Sequence, residues 1–224
     1  MPSVYLSPSN QDGNIGADGI SEEVRMNALA REVGLVLTSR GITVYYNHPN
    51  WTLEQIINDS NSKNPDLHIS IHSNAGGGSG TETWCNEISG TSSAHFGSRL
   101  QAALVGALDL PDRGIKDSTV PGFRWAEVVR TSATAVLTEI FFHDNAADIL
   151  RFNQRRNSVI QAMAGVIMEW FDLAEPPTIK IRAGGQVFDA VIINSRSYAQ
   201  VRQLAEALGH TVTWDETNRT VIVE

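Results

Sequence analysis

Leu67-His68-Ile69-Ser70-Ile71-His72-Ser73-Asn74 decides how the chain is read. Leu67, Ile69 and Ile71 alternate with His68, Ser70 and His72, the period of a strand with one apolar face. Gly76, Gly77 and Gly78 follow and break the strand. His72 therefore stands where a buried strand opens into a loop, a common place for catalytic groups. His68 shares its pleat face and reads as a supporting residue behind it. His48, His95 and His210 read as surface residues.

Upstream, Val4-Tyr5-Leu6 is a short strand, and Ser7 to Asn14 is a loop rich in turn formers. A helix follows. Ser21 is a suitable N-cap, and Met26, Leu29, Ala30, Val33 and Leu37 recur at helical spacing. Glu22 and Glu23 fall in its first turn, where acids complement the helix dipole. Gly41 ends the helix, Ile42 to Tyr46 forms a strand, and Thr52 caps a helix through Leu53, Ile56 and Ile57. This alternation predicts an α/β domain with a central, mostly parallel sheet flanked by helices.

Downstream, Gly80 to Trp84 reads as a strand, residues 94–107 as a helix and Asp112-Arg113-Gly114 as a turn. Residues 134–142 form an apolar strand that carries one carboxylate, Glu139. A carboxylate there is costly to bury unless paired or metal-bound; the plain alternative is an edge position facing water. A last helix runs from Ala146 to Phe171.

The formal net charge of −8 and the lack of a Lys/Arg run argue against nucleic acid. The first residues lack a basic region followed by a long apolar run, so neither a secretion leader nor membrane insertion is expected. The single cysteine, Cys85, excludes an intrachain disulfide.

Residues 3–173 resemble the zinc-dependent N-acetylmuramoyl-L-alanine amidases of type 3. The resemblance rests on an ordered series: Pro8 in the first loop, Ser21-Glu22, Ile69 to Asn74, Gly80-Thr81-Glu82, Arg113-Gly114 and Ala135 to Phe141. It implies a catalytic zinc with Glu22 and His72 as ligands. Glu139 would take a proton from water and pass it to the leaving amine. The substrate would be peptidoglycan, cut between N-acetylmuramic acid and the L-alanine of the stem peptide. Asn74, Glu82 and Arg113 become candidates for substrate binding. The family has a His in the first loop, where this chain reads Pro8-Ser9-Asn10-Gln11. Either Gln11 or Asn10 fills that ligand position, or a residue from elsewhere does, with His143 as the substitute, or the chain binds no zinc.

Ala174-Glu175-Pro176-Pro177 reads as a linker to a small α+β module over residues 178–224. A strand at Ile179-Lys180-Ile181, a turn at Gly184-Gly185, a helix from Ser197 to Leu208 and a closing hairpin are expected. The module resembles the small N-terminal domain of copper amine oxidases, without a copper-binding set, since His210 stands alone. Attachment to the cell wall is the role its company in other proteins implies. Trp214, Tyr198 and Phe188 are candidates for stacking on sugars, with core packing the alternative. Residues 176–224 hold five basic and five acidic residues, so the whole net charge falls in the first domain.

The expected function is a peptidoglycan amidase with a wall-targeting module. It would be a phage or prophage endolysin made in the cytoplasm and released through a separate pore, or an autolysin secreted with a leader not present here. The alternatives are a degenerate amidase domain that binds peptidoglycan without cutting it, and a related carboxypeptidase-like peptidase using Arg113, Arg124 or Arg130 as its clamp.

Overall fold

A computed structural model of the chain describes residues 1–173, 178–193, 196–198, 201–215 and 220–223. The chain divides into two compact units, Met1–Leu173 and Ala174–Glu224. The expected linker, Ala174 to Pro177, lies outside the described residues.

The first unit alternates strand and helix: β1 (Ser3–Pro8), α1 (Glu22–Ser39), β2 (Thr43–Tyr46), α2 (Leu53–Lys63) and β3 (Leu67–Asn74). Then come β4 (Thr81–Cys85), α3 (Ser92–Leu108), β5 (Asp112–Asp117), α4 (Ala126–Arg130), β6 (Thr134–Phe142) and α5 (Ala146–Trp170). Ser21 caps α1 by accepting from Val24 N, and Thr52 and Gln55 form a capping box on α2.

The six strands lie in the order β2-β1-β3-β6-β4-β5. β2, β1, β3 and β6 run parallel, whereas β4 joins β6 antiparallel and carries β5 parallel to itself. Asp112-Arg113-Gly114 opens β5 and does not form the expected turn. Between Thr81 and Thr83 the register with β5 shifts, and Gly114, at φ +78°, sits in that bulge. The turn-like composition marks an irregularity within a strand.

The sheet has two unlike faces. Val4, Leu6, Leu67, Ile69, Ile71, Val136 and Ile140 point to one side and form a single core with Met26, Leu29, Val33, Leu100, Phe152 and Met163 of α1, α3 and α5. The other side carries Tyr5, Ser7, His68, Ser70, His72 and Glu139, and the short α2 and α4 cover it. Cys85 is fully buried on the apolar side, and burial, with the Asp117 charge, pushes its thiol up to about 12.

In the second unit, β7 (Thr178–Ala183) and β8 (Gln186–Ile193) form a hairpin about Gly184 and Gly185, whose φ values are +54° and +78°. β9 (Arg196–Tyr198) pairs with β8, α6 spans Val201–Ala207, and β10 (Val212–Asp215) pairs with β11 (Thr220–Val223). The helix expected from Ser197 begins later, because Ser197 and Tyr198 are taken into the sheet opposite Ile192 and Val191. The side chains of Tyr198 and Trp214 lie outside the described residues, and Phe188 is half-buried.

Candidate active site

The carboxyl ends of β1, β3 and β6 come together where the chain runs from β1 to β2 on one side and later lays β3 on the other. Such a switch point is where open α/β sheets form ligand crevices. The loop after β1 is held in shape there. Buried Arg25 donates to both oxygens of Asp18, at 2.6 and 2.7 Å, and Ala17 N donates to His143 O at 2.8 Å.

Glu22 begins α1, but its side chain turns inward and is 1% exposed. Its Oε1 accepts from His72 Nδ1 and from Ser73 N, each at 3.0 Å. Its Oε2 accepts from Asn14 Nδ2 at 2.8 Å, and the same amide donates to Gln11 Oε1 at 2.6 Å. Gln11 and Glu22 thus face a common donor, whereas the Asn10 amide is turned to Trp51 O at 2.6 Å.

Glu139 lies directly opposite His72 on β3 and Glu82 on β4. It is not at an edge: its Oε2 is buried, with no hydrogen-bond partner among the described residues. Burial raises its carboxyl to about 7, the nearby His72 opposing and the charges of Glu22 and Glu82 adding to the rise. Burial works the other way on His72, but the Glu22 hydrogen bond and the charges of Glu139, Glu22 and Glu127 bring it up to about 9. Glu22 is held below the usual carboxylate range, because the His72 contact outweighs its own burial.

The three residues expected to bind substrate form one chain. Asn74 Nδ2 donates to Glu82 Oε1 at 3.1 Å, and Arg113 Nε donates to Glu82 Oε2 at 2.7 Å. Lys116 Nζ adds a contact of 3.3 Å. Gly80 permits this approach: it sits at φ +111°, and a Cβ there would lie 2.3 Å from Pro111 O.

His143 is buried, with Nδ1 3.0 Å from Ser73 O and 3.1 Å from Ser73 Oγ. A carbonyl only accepts, so Nδ1 carries the proton. The residues after it pin the glycine loop. Asp144 Oδ2 accepts from Gly76 N and Gly77 N, at 2.7 and 2.8 Å, and Asn145 Nδ2 donates to Gly78 O at 2.9 Å. Asp148 accepts from Ser79 Oγ and Gly80 N.

Two chambers open at the residues that flank Glu139 in the sheet, His72 and Glu82. One of about 240 Å³ is lined by Gln11, Leu53, Ile56, His72, Trp125 and Glu127. The other, of about 640 Å³, is lined by Asn74, Gly76, Glu82, Trp84, Arg113 and Lys116. The rings of Phe123, Trp84 and Trp125 run between them, with centroids 5.3 and 5.8 Å apart.

Glu127 was not anticipated. It is anchored through Oε2, which accepts from Ser7 Oγ at 2.5 Å and His68 Nε2 at 2.9 Å. His68 is fully buried, stacks on Tyr5 and meets Ser60 Oγ at 2.8 Å through Nδ1. The available signal was His68 itself, since a buried imidazole on a polar face requires partners.

Among the described residues no group of three or more His, Cys, Asp or Glu side chains is placed to hold a metal ion. Glu22 and His72 are donors a divalent metal accepts, and Gln11 Oε1 lies one amide away from Glu22. With the unmatched Glu139 Oε2 beside them, these residues fit a metal with two strong ligands and one neutral one.

The fold and this acid–imidazole site define an α/β protein whose chemistry sits at the carboxyl ends of parallel strands. Residues 8–169 match the family model of N-acetylmuramoyl-L-alanine amidases, and the chain belongs to that family. Residues 184–224 match the copper amine oxidase N-terminal domain. The chain is 27% identical over 172 residues to the sporulation-specific N-acetylmuramoyl-L-alanine amidase of Bacillus subtilis (strain 168), covering 73% of this chain and 64% of that protein. Identity to N-acetylmuramoyl-L-alanine amidase LytC of the same organism is 26% over 161 residues, covering 67% and 31%. The chain thus spans less than two thirds of the length of these relatives. Among solved structures, the catalytic domain of the amidase CwlV from Bacillus (Paenibacillus) polymyxa var. colistinus matches with a TM-score of 0.68 at 24% identity, covering 78% of this chain and all of that one. The catalytic domain of the CD27L endolysin, which targets Clostridium difficile, matches at 0.60 with 19% identity, covering 78% and 99%. These likenesses establish the fold.

Proposed function

We propose that the chain is a zinc-dependent peptidoglycan amidase that cuts the bond between N-acetylmuramic acid and the L-alanine of the stem peptide. The observation that carries this reading is Glu139, a buried carboxylate with an unmatched oxygen, opposite the joined pair His72 and Glu22. Glu22, His72 and Gln11 would hold the zinc. Gln11 shares the Asn14 amide with Glu22, which favours Gln11 over His143 as the third ligand. Bound there, zinc lowers the pKa of water and polarises a carbonyl.

Glu139 has the acid–base task. A carboxyl poised near 7 accepts a proton from water at neutral pH and returns it to the leaving amine. Water thereby supplies the new carboxyl oxygen, and the peptide leaves with a free α-amine. Ser73 N and Asn14 fix the Glu22 carboxylate, and Glu22 in turn orients the His72 ring. Asn74, Glu82 and Arg113 hold the substrate on the β4 side.

The second unit is proposed to target the cell wall, and the protein to act there as an endolysin or an autolysin. Among the described residues no helix is long and apolar enough to cross a membrane. Elemental analysis, paired with release of new N-terminal L-alanine from cell walls with and without chelator, tests the reading. About one zinc per chain and chelator-sensitive release are expected. No release after zinc is restored would overturn it.

A further inference from the structure

A bond cut at Glu139 lies on β6 between Glu82 of β4 and His72 of β3. Glu82 lines the larger chamber and His72 the smaller. The two halves of the substrate therefore leave Glu139 in opposite directions, one into each chamber.

The chambers recognise different chemistry. The larger one holds Arg113 and Lys116 around Glu82, with Gly76 and Gly78 of the glycine loop in its lining. Two cations against the Glu82 carboxylate suit a peptide that carries free carboxylates. The smaller chamber, about 240 Å³, falls below the ~300 Å³ lower end of ordinary ligand pockets, so it has room for one ring. One wall is Trp125, 38% exposed. Beside it stands Glu127, whose Oε2 is taken by Ser7 and His68. Its other oxygen carries no hydrogen bond among the described residues, and Glu127 lines the chamber.

We infer that the smaller chamber is the subsite for the sugar ring of the substrate, with Trp125 as its stacking wall and Glu127 as the acceptor for a ring hydroxyl or the acetamido N–H. A pyranose offers a C–H face that packs on an indole and a polar edge that donates to a carboxylate. Burial pushes the Glu127 carboxyl up, but the contacts with His68 and Ser7 outweigh it and hold the group below the usual range. Glu127 therefore stays an anion that only accepts, unlike Glu139, which is poised to exchange its proton. The assignment rests on the amidase reading and adds to it the direction in which the substrate lies.

Kinetics on two substrates that share one stem peptide test this. One carries N-acetylmuramic acid; the other carries D-lactate in place of the sugar acid. Trp125→Ala and, separately, Glu127→Gln should reduce the preference for the sugar-bearing substrate roughly tenfold, through KM. With Trp125→Ala the sugar-free substrate should change by less than about twofold. Equal losses on both substrates would overturn the assignment. Calorimetric titration with the peptide-free disaccharide of N-acetylglucosamine and N-acetylmuramic acid reads the subsite without catalysis. Binding by the parent protein that Trp125→Ala abolishes supports the subsite even where neither substrate is cleaved, a result that would overturn the amidase reading alone. No disaccharide binding by the parent protein would overturn the subsite.

Discussion

The two faces of the central sheet are made from the same strands, one residue apart, and obey different rules. On one face Leu67, Ile69, Ile71 and Val136 meet the apolar stripes of three helices. Burial alone drives that packing, so any residue of suitable size and polarity would serve. On the other face His68, Ser70 and Glu139 are buried as well, His72 is partly so, and each polar atom needs a named partner. The first face holds the fold together. The second spends stability on chemistry, most plainly at Glu139, whose buried oxygen has no hydrogen-bond partner among the described residues.

The sharpest way to break this contrast is Glu139→Gln. Amide cleavage should fall by roughly 10²–10⁴, while thermal stability holds or rises, because a neutral amide replaces a costly carboxyl. Release of N-terminal L-alanine and a melting curve on the same sample check both halves. A rate within a few-fold of the parent would remove Glu139 from its role.

Neighbouring positions on opposite faces come next. Ile69→Ala should cost about 2–5 kcal/mol by opening a cavity under α1 and α5, seen as a drop in Tm of roughly 10 °C. Ser70→Ala loses only a 3.3 Å contact to His68 Nε2 and should cost about 1 kcal/mol. Equal losses at the two positions would erase the distinction between the faces.

Gln11→His tests the third ligand. Imidazole binds zinc better than a carboxamide, so zinc affinity should rise roughly tenfold or more, measured by competition with a chromophoric chelator. Unchanged affinity would place the third ligand elsewhere.

The smallest effect is a pH dependence of the metal-free protein. Glu139 and His72 both bind their protons more tightly when folded, near 7 and 9, than when unfolded, at 4.5 and 6.5. Their contribution is complete below the unfolded values and is lost as pH rises through the folded ones. Tm should therefore fall as pH rises from about 4.5 to 9, by roughly 5 °C, and Glu139→Gln should remove the part of the fall below about pH 7. A Tm that rises across this range would contradict the electrostatics of the site.

The apolar face was legible in the sequence because period alone encodes it: Leu67, Ile69 and Ile71 announce β3, and Met26 to Leu37 announce α1. The local pieces of the polar face were legible too, since Glu22, His72 and Glu139 each sit in recognisable surroundings, and the structure brings them together. What escaped were features set by tertiary contact. β5 looks like a turn because its bulge needs Gly114. α4 is only five residues long, too short to show a period. Glu127 finds His68 across 59 residues of chain, a distance over which spacing carries no information.

Cys85 has a consequence of its own. The thiol is sealed beneath α3, is pushed up to about 12 and has no second cysteine to meet. It is neither a nucleophile at neutral pH nor a handle for oxidants, and it cannot tie two chains together while the core stays closed. The first unit therefore holds no disulfide that a change of redox potential could make or break.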